Sequence, residues 1–134
     1  MAITQTATDA FKQGVLQDMA ADTLKIALYT SAAALDAATT AYTALGEASG
    51  GSYAAGGAVL TGATVALSGG VAYMTFANPT WAGAITARGA LIYNSSKANR
   101  AIAVLDFGAN KQSTTTFTIQ MPAAGADTAL VRVK

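Results

Sequence analysis

Residues 9–29 read DAFKQGVLQDMAADTLKIALY, and a change of period inside this stretch decides the fold. In its first half Phe11, Val15 and Met19 recur every four residues, with Leu16 beside them. That spacing lines them along one face of a helix. Lys12, Gln13, Gln17 and Asp18 fall away from the stripe. Thr8 or Asp9 can cap the helix, because a short oxygen-bearing side chain there accepts from the free N–H groups of the first turn. The pattern predicts a helix over 9–21, packed through Phe11, Val15 and Met19. Gly14 costs about 1 kcal/mol relative to alanine in a helix interior, so this helix needs tertiary contacts. After Asp22 the period becomes two: Leu24, Ile26 and Leu28 face one way, and Lys25, Ala27 and Tyr29 the other. That alternation predicts a half-buried strand.

Outward from this stretch, residues 1–8 are small and polar and read as an arm. Residues 30–57 are also dominated by small and polar residues, with Leu35, Tyr42, Leu45 and Tyr53 as isolated anchors. A connection this long is uncommon in a compact domain unless it has a task or carries a short helix, and 37–45 has room for one helical turn or two. From Ala58 onward, apolar runs alternate with turn signals. Gly69-Gly70 marks a hairpin between 58–67 and 71–76, because glycine reaches the positive φ of tight hairpin turns. Asn78-Pro79 ends a strand, and Trp81 follows in a short segment. Residues 94–100 connect strands at 85–93 and 101–107, 108–114 read as a loop, and short strands follow near 117–121 and 130–133. The expectation is one domain over 1–134, mainly β. It is an antiparallel β-sandwich or partly closed barrel of about seven strands with one N-terminal helix. Its parts are an arm (1–8), the helix (9–21) and a β body (22–134) holding the long loop 30–57.

Composition narrows the functional classes. Hydrophobic residues make up 52% of the chain, but much of that is alanine, so the core rests on a few large side chains. Charged residues are 11%, against about 25% in ordinary soluble domains. The net charge is +1, and Lys97, Arg100 and Lys111 fall in turn-like stretches without forming a stripe. This is no phosphate-tracking surface, so no nucleic-acid partner is expected. Ala, Thr, Ser and Gly cost little to desolvate, and a surface rich in them suits permanent contact with neighbours. Asp9, Lys12, Asp18, Asp22 and Lys25 interrupt any signal-peptide core, and no apolar run reaches the ~18 residues of a membrane span.

Histidine and cysteine are absent. Ser-His-Asp and Cys-His nucleophilic sites, zinc fingers and His-based metal sites are therefore excluded. The seven acids are Asp9, Asp18, Asp22, Asp36, Glu47, Asp106 and Asp127, and their spacing suggests no catalytic pair. The glycine-rich 46–57, GEASGGSYAAGG, lacks the GxxxxGK[ST] pattern of a phosphate loop. Asn94-Ser95-Ser96 matches a glycosylation sequon, yet local turn chemistry explains it better. Tyr73 and Tyr93 lie on expected strands and read as packing residues. Tyr42, Tyr53 and Trp81 lie outside regular strands and are the candidate interface residues. No catalytic, cofactor-binding or metal-ligating residue is expected.

Three further stretches bear on function: FKQGVLQDMAADTLKIALYTSAAALDAATTAY (11–42), SYAAGGAVL (52–60) and TARGALIYNSSKANRAIAVLDFG (86–108). Followed by FTIQMP from Phe117, and taken in this order, they resemble a family of small tailed-phage virion proteins encoded among head and tail genes. The stretch 86–108 is the most distinctive. The resemblance implies a structural protein of the virion, similar in size and composition to head decoration or cement proteins. Small neck and tail components look similar. It implies the major capsid protein and copies of the same chain as partners, with trimers favoured because decoration proteins often occupy three-fold positions. It implies no enzyme activity, cofactor, membrane or small-molecule substrate. On this reading the arm and the loop 30–57 are the clamping parts, the loop staying mobile alone and ordering against neighbours. Two other classes are weighed beside it. A carbohydrate- or receptor-binding module needs Trp81 with Tyr42 or Tyr53 exposed beside polar groups. A hydrolase needs an acidic pair about 5–10 Å apart in a cleft.

Overall fold

The computed structural model describes residues 2–134; Met1, the first residue of the expected arm, lies outside them. Among the described residues, 2–7 are exposed and belong to no helix or strand. One helix, α1 (Asp9–Ala20), precedes nine strands. These are β1 (Leu24–Tyr29), β2 (Ala58–Val59), β3 (Thr64–Ser68), β4 (Val71–Thr75) and β5 (Thr80–Ala82), then β6 (Thr86–Asn94), β7 (Arg100–Gln112), β8 (Thr116–Thr118) and β9 (Val131–Val133). The chain is mainly β, with 38% strand and 9% helix. Every strand pairing is antiparallel. The strands form sheets in the orders β2-β1-β6-β7, β3-β4-β9 and β5-β8, and no barrel closes among the described residues.

The sheets enclose one main core. Leu24, Ile26 and Leu28 of β1 meet Ile92 of β6, Met74 of β4, Trp81 of β5 and Phe117 of β8 there. Nine strands appear where about seven were expected, for two local reasons. The run 58–67 divides into β2, paired to β1, and β3, paired to β4, with Gly62 at φ 66° between them. The Trp81 segment is itself a strand, held against β8. The β3–β4 hairpin follows its turn signal: Ser68 pairs with Val71, and Gly69 and Gly70 take φ of 57° and 78°.

The helix packs on a different face from the one expected. Thr8 caps it, its Oγ1 accepting from the Phe11 N–H at 3.2 Å. Leu16 is the buried residue, supported by Met19 and Ala20, while Phe11 is 61% and Val15 42% exposed. A four-residue step advances the helical angle by about 40° beyond a full turn, so the Phe11–Val15–Met19 row winds across the surface. The rotation that buries Leu16 turns Phe11 outward and brings the Lys12 Nζ to the Gly70 carbonyl, to which it donates at 2.8 Å.

The strand β1 is buried on both faces except at Lys25, where a half-buried strand was expected. Its second face lies under the segment 30–57, described below. At the far edge of the sheet, β7 runs through the expected loop at 108–114 by means of a bulge. Gly89 pairs with Asp106 and Ala87 with Lys111, so four residues, 107–110, stand opposite Arg88 alone. Gly108 takes φ 78°, and its N–H donates to the Asp106 carboxylate at 2.8 Å. The other end of β7 is met by a bridge from Ala41 to Arg100. The β6–β7 turn uses the local chemistry read from Asn94-Ser95-Ser96. Asn94 Oδ1 accepts from the Ser96 N–H at 3.0 Å, and its Nδ2 donates to Asp22 at 2.8 Å.

Candidate interaction surface

Cross-strand partners share a face, so Tyr29, Gly89 and Asp106 form one row on the outer side of the β1-β6-β7 sheet. Ala27, Leu91 and Val104 form the next. Ala27, Tyr29, Leu91 and Tyr93 make a second apolar cluster there, roofed by Ala33, Leu35 and Tyr42. The segment 30–57 is therefore a cover fastened to the sheet by contacts within the single chain. The Thr30 N–H donates to the Gly46 carbonyl at 2.8 Å, and the Ala48 N–H to the Leu28 carbonyl at 2.9 Å. No helical turn forms at 37–45.

Glu47 is the centre of this cover. Its Oε1 accepts from the Tyr42 hydroxyl at 2.7 Å, and its Oε2 from the Tyr53 hydroxyl at 2.5 Å and the Gly56 N–H at 2.8 Å. The Tyr29 hydroxyl donates to the Thr43 carbonyl at 2.7 Å, and the Tyr93 hydroxyl to the Gly56 carbonyl at 2.6 Å. Tyr42 stacks on Tyr93 with ring centroids 4.9 Å apart. Sequence reasoning missed this arrangement, although Glu47 is the only acid between Asp36 and Asp106 and the tyrosines surround it in sequence.

Burial raises the pKa of Tyr29 to about 12, its bond to Thr43 opposing the shift in part. Burial and then the Glu47 carboxylate push Tyr42, Tyr53 and Tyr93 upward as well. A pKa raised on folding means the folded chain holds its proton more tightly. The stabilisation is complete below the ordinary tyrosine value of 10.0 and is lost as pH climbs toward about 12. Alkaline titration followed by tyrosinate absorbance should therefore show these four ionising together with loss of the fold by circular dichroism. Separate ionisation of Tyr29 near its ordinary value, with the fold intact, would contradict the packed cover.

The three interface candidates turn inward. Trp81 is only 5% exposed, packed between Tyr53 and Phe117. Tyr42 and Tyr53 are half-buried, and their hydroxyls are engaged by Glu47. They do not form the exposed aromatic group that a sugar platform requires. Several acids have structural partners: Asp106 pairs with Arg88 at 3.3 Å, and Asp22 with Lys97 at 3.7 Å. The Gly108 N–H first, and Arg88 second, hold the Asp106 carboxyl below its usual range. Among the described residues, no group of three or more acids gathers to hold a metal ion.

What the surface does offer is apolar and dispersed. Ile3 on the arm, Phe11 and Val15 on α1, Leu45 at a loop tip, Val59 on β2 and Val104 on β7 are the exposed large apolar residues among those described. The cover reaches β7 only at its start, through the Ala41–Arg100 bridge, and leaves shallow grooves beside Val104. One of about 340 Å³ lies between Leu35 and the Arg88–Asp106 pair, and another of about 490 Å³ between Asp36 and Ala103. No family model, curated protein or solved structure matches the chain.

Proposed function

We propose that this chain is a structural component of a tailed-phage particle: a capsid decoration or cement protein that stabilises the head by repeated contacts with the major capsid protein and with copies of itself. The observation that carries this reading is the dispersal of exposed apolar side chains over the arm, the helix, a loop tip and two edge strands. An enzyme or a receptor-binding module gathers its groups in one place, whereas contact with several neighbours calls for several patches. The low charge supports the same reading, since 11% charged residues leave few ions to desolvate at an interface. Closed symmetry is the usual solution for repeated identical contacts, and trimers are favoured by analogy with the class. The reading involves no catalytic step, cofactor, nucleic acid or membrane.

Localisation and deletion test it. Particle reconstruction or immunogold labelling should place many copies on the head, and particles lacking the protein should burst at lower temperature. Finding it only at the neck or tail overturns the cement role and keeps the virion role. Its absence from purified particles overturns both.

A further inference from the structure

α1 contains a glycine that nothing among the described residues requires. Of the 13 glycines, 11 take positive φ, and at Gly89 a Cβ would press within 2.6 Å of the Leu105 carbonyl oxygen. Gly14 alone has neither reason: its φ is not positive, and an added Cβ would meet nothing within 4 Å among the described residues. It lies in the middle of a helix, where glycine is the least favourable residue after proline. Beside it, on the side away from buried Leu16, are exposed Ala10, Phe11, Val15 and Asp18. The missing side chain leaves a notch in the helix backbone, next to the largest exposed apolar groups of the helix.

We propose that this face binds the same face of a second copy, the two α1 helices lying antiparallel about a two-fold axis. The stripe is complementary to itself. With the axis between Lys12 and Gln13, Phe11 of each copy lies over Gly14 of the other, and Ala10 lies against Val15. Asp18 then comes opposite Ala7, at the N-terminal end of the other helix, where unpaired N–H groups favour a negative charge. Asp9, which would compete for that end, is turned toward Gly70 on the inner side of the helix. A contact in which residue i meets j and j meets i is what a two-fold axis demands. One helix face is smaller than the roughly 1,200 Å² of a stable specific interface, so association in solution is weak and grows where copies are held close together. The contact joins copies wherever in a particle they sit, and it does not depend on the capsid reading.

The chain has no cysteine, so single cysteines report the register directly. Ala10→Cys mixed with Val15→Cys should give a mixed disulfide dimer under mild oxidation, well above the yield of either variant alone. Gly14→Ala separates this contact from folding, because its two effects have opposite signs. The unfolding midpoint should rise by about 2–8 °C, since alanine favours the helix. The dimer dissociation constant, measured by sedimentation at high protein concentration, should rise about tenfold or more as the notch fills. The proposal is overturned if Gly14→Ala leaves self-association unchanged, if the mixed disulfide is no more abundant than the single-variant products, or if the natural chain stays monomeric throughout. A monomeric chain whose Gly14→Ala variant fails to bind particles would assign the face to another virion protein.

Discussion

Leu91→Ala is expected to destabilise the protein by ~2–5 kcal/mol, the range for opening a cavity at a large buried aliphatic side chain. Leu91 is fully buried in the middle of β6, which is hydrogen-bonded to β1 on one side and β7 on the other. Its neighbours in the row are Ala27, too small to fill the gap, and Val104, which already stands at the surface. Both flanking strands hold the backbone in place, so the site has little freedom to collapse. Chemical denaturation should show a lower midpoint with the slope unchanged, the sign of lost stability without a change in the surface exposed on unfolding. Ile102→Ala should cost less. β6 pairs Ile92 with Ala103 and Tyr93 with Ala101, so Ile102 is the extra residue of a bulge and is only partly buried. A loss below about 1 kcal/mol for Leu91→Ala, under the cavity range, would contradict the two-sided burial of the sheet.

Glu47→Ala should cost a similar ~2–5 kcal/mol and act in one region. It removes the acceptor of the Tyr42 and Tyr53 hydroxyls and of the Gly56 N–H. A buried donor left without a partner costs about 1–3 kcal/mol. The half-buried tyrosines can recover part of that from water, which keeps the total below the sum. Glu47→Gln keeps an acceptor oxygen and should lose less. Hydrogen exchange locates the effect: the Thr30 and Ala48 amides, protected by Gly46 and Leu28, should exchange faster, while those of the β6–β7 ladder stay protected. Unchanged exchange at Thr30 and Ala48 would remove Glu47 from its place as the fastener.

The strands were legible where local pattern alone decides them. Period-two alternation after Asp22 and the Gly69-Gly70 turn are signals a chain carries within a few residues, and both elements form there. The helix too was legible as a helix, because its cap and spacing are local. Its orientation was not, since the face it buries depends on the surface it meets, β3 and β4, which lie far along the chain. The segment 30–57 failed for the same reason. Its composition of small residues, glycine and scattered tyrosines is that of a solvent loop, and only the folded sheet brings Tyr93 beneath Tyr42. Tyr42, Tyr53 and Trp81 read as interface candidates because they lie outside expected strands, yet tertiary cover, which strand membership does not reveal, buries Trp81 and half-buries the two tyrosines. Gly14 was visible as a cost to the helix but acquired a meaning only once the space beside it was known to be empty.

The bulge in β7 bears on how this chain behaves when crowded. Long, flat, apolar edge strands are templates on which other chains add, and the outcome is fibrils or precipitate. Most proteins oppose this with net charge, which keeps molecules apart in solution, but a net charge of +1 supplies almost no repulsion. Along β7 the shape of the strand supplies the protection that charge does not. Ala41 caps one end of the strand, and residues 107–110 throw the other out of register, so only a short straight run between them remains open to a stray strand. A chain with so little net charge is in this way shielded along β7 when it is crowded.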